Sequence, residues 1–290
     1  MNASVLLVDK PAGPTSFGCV ARVRGALGGR TVKVGHAGTL DPFATGLLAL
    51  LAGRATRLAP YLVGLDKRYR ATVQFGVRSD TGDTEGVLEP GDGPLPTEAA
   101  LAELCAAFTG VLSQVPPATS AIKVDGRRAY ALARAGVAVD MPVREVHVHA
   151  LDIVAYDASL GRAVIGVHCS KGTYIRSLAR DLGEAAGCGA HCAELRRTAI
   201  GHLTVDDAGS LDAVAADPLG GSWRMSCGDA LAHLPARELE SAERDALLHG
   251  RAIELRGEAG PVRCLLDGRL VCVAEASDGA LGSRVLVDEA

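Results

Sequence analysis

One acidic side chain, Asp41, sits among glycines and threonines in the string GHAGTLDPFATG, Gly35 to Gly46. Pro42 follows it, and an apolar run, Leu47 to Ala52, begins just beyond. A short Gly/Thr/Pro-rich loop running into a buried strand can hold a carboxylate rigidly while leaving it open to a ligand. A carboxylate so held can serve as a covalent nucleophile or as a base without any cofactor. Asp-Pro also starts ordinary turns, so the information lies in the whole string rather than in the dipeptide. A second cluster, Cys188-Gly-Ala-His191-Cys192, has metal-ligand residue types but lacks a second ligand pair at zinc-site spacing. The eight histidines form no other ligand pattern along the chain, so no metal is expected. No phosphate-binding P-loop and no G-x-G-x-x-G after a strand is present, which disfavours a nucleotide or nicotinamide enzyme.

The elements that must position Asp41 follow from periodicity and punctuation. Ser4 to Val8 reads as a strand and Lys10 to Pro14 as a loop. Thr15 or Ser16 can cap a helix whose Val20, Val23 and Leu27 share a face, ended by Gly28 and Gly29. A buried strand, Leu47 to Ala52, and a short helix over about 55–62 come next. Tyr69 to Phe75 reads as a strand, and Thr97 caps a helix that reaches Phe108 and closes at Gly110. A further helix ends at Ala135, with Gly136 placed for a left-handed cap. Strands over 144–155 and 162–169 precede a helix from Tyr174 to Ala186 that stops at Gly187. Strands and helices do not alternate regularly, so the expected class is α+β: a mixed, largely antiparallel sheet flanked by helices. After Leu203 the texture changes. Residues 206–223 resemble a connector, and short apolar runs at Val262 to Leu266, Leu270 to Ala274 and Arg284 to Val287 suggest a small β domain. The expected division is 1–205, a connector at 206–226, and 227–290.

The chain has 290 residues, 48% of them hydrophobic, which suffices for one large domain or a large and a small one. The start, MNASVLLVDKP, has no basic leader, and the longest apolar stretch, Gly46 to Gly53, is too short to span a bilayer. A soluble cytoplasmic protein is expected, with its eight cysteines as free thiols. Net charge is −4 but unevenly spread: residues 11–78 carry +8, residues 79–121 carry −7, and residues 203–290 carry −8. A positive segment inside an acidic chain can build a local phosphate-binding face without a basic isoelectric point.

The Asp41 string and four further motifs then carry a resemblance. The Asp41 string, the opening VLLVDKPAGPTS, Lys67-Arg68-Tyr69, the segment PPATSAIKVDGRRAYALARAG (Pro116 to Gly136) and CSKGTYIRSLARDLGEAAGCGAHCAELRRT (Cys169 to Thr198) resemble, in order, the motifs of the TruB-type pseudouridine synthases. The resemblance covers most of residues 4–205. One departure is visible: Thr119 stands where members often carry an aromatic residue, so no stacking contact is assigned there.

The resemblance implies a pseudouridine-synthase catalytic domain followed by a PUA-like β domain, acting on uridine 55 in the T loop of tRNA without metal, nucleotide or guide RNA. It implies Asp41 as the catalytic carboxylate. Three acts are open to that group: attack on the ring, attack on the ribose, or removal of a ribose proton. Arg176 is implied as its cationic neighbour, since a guanidinium can pair with a carboxylate through two hydrogen bonds. Tyr69 is implied against the target base and as a candidate for taking the carbon-5 proton. Tyr174 and Leu195 match pocket-lining positions, and His36 matches a histidine near the displaced T-loop bases. The target uridine must be flipped into the pocket at a cost of a few kcal/mol. Lys67, Arg68 and Lys123, with Arg22, Arg24, Lys33, Arg127, Arg196 and Arg197, are candidate phosphate contacts. No membrane and no protein partner is implied, and a monomer is expected. The runner-up readings are a guide-RNA-dependent relative acting on ribosomal RNA and a tRNA-binding or folding protein without chemistry.

Overall fold

The structure, a computed structural model, describes residues 3–120, 123–124, 127–129, 140–254, 259–277 and 279–287. By compactness the chain forms two units: Met1–Leu65 with Ala199–Ala290, and Asp66–Thr198.

In the first unit, Ser4–Lys10 pairs antiparallel with Thr45–Ala52, from Ser4 opposite Ala52 to Lys10 opposite Gly46. Both strands are buried on both faces, which explains why they read as continuous apolar runs instead of alternating. Val34–His36 pairs with the same Thr45–Ala52 strand and places His36 opposite Leu50. Gly209–Ser210 adds a parallel pairing to Ser4–Lys10, so the sheet is mixed. The helix Ser16–Ala26 starts at Thr15, whose hydroxyl accepts from the Gly18 N–H at 2.9 Å. It buries Cys19, Val20 and Val23 and ends at Gly28, whose φ of 110° only glycine adopts without strain. The helix expected over 55–62 is instead a 3₁₀ segment, Gly53–Leu58, followed by Ala59–Val63. Pro60 lies in the first turn of the latter, where its missing N–H costs nothing.

The C-terminal part of this unit contains a five-stranded sheet in the order Ala236–Glu238, Gly260–Leu266, Arg269–Ser277, Ala280–Leu286, Ile253–Glu254. The three expected runs form its three long strands. Asp267 and Gly268, both at positive φ, make the tight turn between the first two of them. Three helices interrupt the region unannounced, the shortest of them Cys227–Ala230. Leu211–Ala216 is capped by Ser210, and Ser241–Leu248 by a reciprocal Glu240/Glu243 capping box. A single core joins Val5, Leu7, Leu51 and Leu58 to Cys227, Leu231, Leu270, Val273 and Val287.

The second unit carries strands in the order Ala190–Ile200, Lys67–Phe75, Arg162–Cys169, Arg144–Asp157, Gly110–Gln114. The last three pairings are antiparallel. Glu98–Ala107 is capped by Thr97 as expected, and Ile175–Ala185 forms the second long helix. Gly183 has no room for a side chain, since a Cβ there would lie 2.1 Å from the Ala190 nitrogen. That absence lets the chain fold straight back into Ala190–Ile200, a strand outside the expected set. The fold class is α+β. The helix expected to end at Ala135 and Gly136 lies outside the described residues, as does the side chain of Lys123.

Candidate active site

The Asp41 loop is held by side chains on both sides of the carboxylate. Ser16, fully enclosed, donates to the Leu40 carbonyl at 2.9 Å and accepts from the Leu40 N–H at 2.8 Å. One hydroxyl thus satisfies both backbone groups of the residue before Asp41, as a strand partner would. On the other side, the Pro42 carbonyl accepts from the Gly13 N–H at 2.9 Å and from Lys10 Nζ at 3.1 Å. Lys10 is fully buried and also donates to the Pro11 carbonyl. The Ala44 N–H closes a turn on the Asp41 carbonyl at 3.2 Å. Asp41 itself is half-buried on this fixed backbone. His36 lies half-buried at the end of its short strand in the same unit.

In the second unit, Arg176 lies in the first turn of Ile175–Ala185 and is only 3% exposed. Its guanidinium donates to the Thr81 carbonyl at 2.9 Å, the Thr119 hydroxyl at 2.7 Å and the Thr119 carbonyl at 3.1 Å. It forms an ion pair with Asp83 at 3.1 Å. Asp83 is equally buried and accepts from the Thr81 hydroxyl at 2.6 Å and the Glu85 N–H at 3.0 Å. Sequence reasoning passed over Asp83, because it lies in a run of acids that reads as solvated surface. Thr119, noted only as a departure from an aromatic, supplies two of the acceptors that aim Arg176. Arg176 is among the residues lining a cavity of about 430 Å³, with Thr81, Pro116, Met141 and Arg180.

Tyr174 immediately precedes that helix. Its N–H donates to Gln114 Oε1 at 2.8 Å, and its carbonyl accepts from Gln114 Nε2 at 3.1 Å. Gln114 is buried and grips Tyr174 as Ser16 grips Leu40. The Arg144 guanidinium lies 5.8 Å from the centre of the Tyr174 ring.

Tyr69, half-buried, sits opposite Val167 in the sheet, and Arg68 beside it is exposed. Lys67 is buried. Burial, aided by the positive charge of Arg197, brings its ammonium down to about 8. Burial likewise pushes the facing Cys169 thiol up to about 11. Leu195 is buried in Ala190–Ile200, two residues before the fully buried Arg197. Among the other basic candidates, Arg22 forms an exposed ion pair with Asp212 at 2.5 Å. All eight cysteines are buried free thiols.

Comparison with known proteins agrees with these motifs. Residues 25–175 match the model of the TruB family pseudouridylate synthase N-terminal domain, and residues 176–219 match that of the tRNA pseudouridylate synthase B C-terminal domain. The chain is 44% identical over 289 residues to tRNA pseudouridine synthase B of Thermobifida fusca (strain YX), covering 97% of each. It is 46% identical over 255 residues to the enzyme of the same name from Synechococcus sp. (strain WH7803), covering 85% of this chain and 83% of that one. Among solved structures it resembles a chain in an H/ACA RNP bound to a substrate RNA containing 2'-deoxyuridine, at 22% identity and a TM-score of 0.75 over 98% of this chain and 84% of that one. It resembles a chain of the archaeal box H/ACA sRNP Nop10-Cbf5 complex similarly, at 24% identity and a TM-score of 0.74 over 98% and 86%. The fold is shared with these RNP chains. With relatives this similar along nearly its whole length, and a family model matching more than half of it, the chain belongs to the TruB family of pseudouridylate synthases.

Proposed function

We propose that this protein isomerises uridine 55 to pseudouridine in the T loop of tRNA, acting as a single cytoplasmic chain without a guide RNA. Near-full-length similarity to proteins named tRNA pseudouridine synthase B supports the substrate class. The observation that carries the chemistry is the two-sided grip on the Asp41 loop, by Ser16 on Leu40 and by Gly13 and Lys10 on Pro42. Preorganised groups cost no rearrangement when the reaction begins.

In the proposed reaction the uracil leaves its bond through nitrogen, turns over, and rejoins the ribose through carbon. Asp41 supplies the nucleophile or base that starts this exchange. Arg176, held by Thr81, Asp83 and Thr119, supplies fixed positive charge to the site. The Tyr69 ring stacks on the flipped base, and its hydroxyl takes the proton from carbon 5. Tyr174 and Leu195 line the base pocket, and His36 meets displaced T-loop bases. Arg68 and Lys123 meet phosphates, whereas Lys67, expected to do the same, is buried in the sheet and stands back from them. Among the described residues no helix is long and apolar enough to cross a membrane.

The deciding experiment is incubation of the purified chain with unmodified tRNA transcript, followed by mapping of pseudouridine. Modification confined to position 55 without added RNA supports the proposal. Modification that requires an added guide, or none at all, overturns it.

A further inference from the structure

Three ligand-type side chains, far apart in sequence, meet on the outer face of the Asp66–Thr198 sheet. Asp66 precedes the Lys67–Phe75 strand, His168 faces Arg68 from the neighbouring strand, and His149 comes from the strand beyond. His149 Nε2 lies 3.1 Å from Asp66 Oδ2, and His168 Nε2 lies 3.9 Å from the same oxygen. One donor atom from each of the three lies within 4.8 Å of the others.

The strand pairing explains how they converge. Val148 opposes Cys169 and Ala150 opposes His168, so His149 is the extra residue of a β-bulge. A bulge re-aims a side chain and interrupts alternation locally. Val148 and Leu151 are buried on either side of it, while His149 points outward. Its ring lies 4.7 Å from that of His168 and 4.3 Å from that of His147, tilted against both. The side chains of Asp66, His149 and His168 keep 45%, 29% and 34% of their surface exposed, so solvent reaches all three.

We propose that Asp66, His149 and His168 form a binding site for one borderline divalent cation of the zinc, cobalt or nickel class. Two imidazoles and a carboxylate suit such ions, whereas magnesium and calcium favour all-oxygen sets. Nitrogen and oxygen ligands bound at roughly 2.0–2.2 Å lie about 3–3.4 Å from one another. Asp66 and His149 already stand at that separation. His168 lies beyond it, at 3.9 Å from Asp66, so its side chain must move closer to share an ion. Both facing nitrogens are Nε2, which leaves Nδ1 to carry the proton of each neutral ring. Three protein ligands leave the remaining coordination positions to water. The ion would tie two adjacent strands to the residue that leads into Lys67 and Tyr69. The site does not depend on the proposed reaction.

The test uses the full chain, stripped with a chelator and titrated with Co²⁺ while visible d–d absorption is followed. Zn²⁺ is then added as competitor. The expected result is one Co²⁺ per chain, displaced by Zn²⁺, with no near-ultraviolet thiolate band. Affinity should fall at least about tenfold in each of Asp66→Asn, His149→Gln and His168→Gln, and change by less than about threefold in His147→Gln. Circular dichroism confirms that each variant is folded, and paramagnetic shifts of the His149 and His168 ring protons in the wild-type chain give a readout that needs no variant. Absence of saturable one-equivalent binding, a thiolate band, or affinity indifferent to all three ligand substitutions overturns the site.

Discussion

Asp41→Asn keeps the size and the loop hydrogen bonds but removes the charge and most of the nucleophilicity. Binding of tRNA should stay within a few-fold of wild type while isomerisation becomes undetectable. Tritium release from carbon 5 in single-turnover assays checks this, and product above a trace rate would remove Asp41 from the mechanism. Arg176→Lys keeps one charge but cannot reach both the hydroxyl and the carbonyl of Thr119 as the planar fork does. Its rate should fall more than its affinity. Asp83→Asn neutralises the buried partner of Arg176 and should destabilise the fold by about 3 kcal/mol, measured by urea unfolding. Lys67 adds a pH signature. Its folded pKa of about 8 lies below its ordinary value of 10.5, so the unfolded chain binds the extra proton between those limits. Lys67 should therefore make stability rise with pH across that window, with its full penalty present below about 8. Lys67→Met should flatten the rise relative to wild type. An unchanged slope would mean that the ammonium is not desolvated.

At the scale of elements, the Asp41 loop depends on one hydroxyl in a neighbouring helix. Ser16→Ala leaves both backbone groups of buried Leu40 without that partner, and should cost about 2–3 kcal/mol. Catalysis should drop by at least about tenfold, mainly in kcat, because Asp41 loses its fixed backbone. Equal stability and rate in Ser16→Ala would dismiss the clamp. Much of this level was legible beforehand. Thr97 and the Ser4 to Val8 run announce their elements through cap chemistry and unbroken hydrophobicity. Thr15 and Ser16 were interchangeable as caps in the sequence; the fold assigns the cap to Thr15 and frees Ser16 to hold Leu40. Ala190–Ile200 was not legible, because it buries His191 and Arg197, residue types that normally mark a surface. The Ser241–Leu248 helix was not expected within a small β domain; it starts at a capping box and buries Leu247. Asp83 carries no local signal at all. Its buried partner, Arg176, comes from much later in the chain.

For the whole molecule, the core of the first unit bears on where the chain can be cut. Cys227, Leu231, Leu270, Val273 and Val287 share it with Val5, Leu7, Leu51 and Leu58. A chain ending at Ser226 would expose those N-terminal residues, so it should melt well below the full chain and aggregate. Differential scanning calorimetry with light scattering tests this. A truncation that stays folded would instead support 227–290 as a separable PUA-like domain, and its salt dependence on an isolated T stem-loop would then report which part holds the phosphates.

The first unit is also discontinuous: its two halves flank the contiguous stretch 66–198. Synthesis on a ribosome makes that arrangement a matter of timing. The inserted middle is complete and free to fold while the last ninety or so residues are still unmade. Ser4–Lys10 and Thr45–Ala52 can pair early, but the apolar face they share with Leu270, Val273 and Val287 must wait until those residues are made, roughly ten seconds to a minute after the first strand is made. For that interval the nascent chain carries an uncovered hydrophobic surface of the kind chaperones bind. The Asp41 loop, gripped by Ser16, Gly13 and Lys10, can therefore form early, while the strands that carry it gain their full apolar cover only when the last strands arrive.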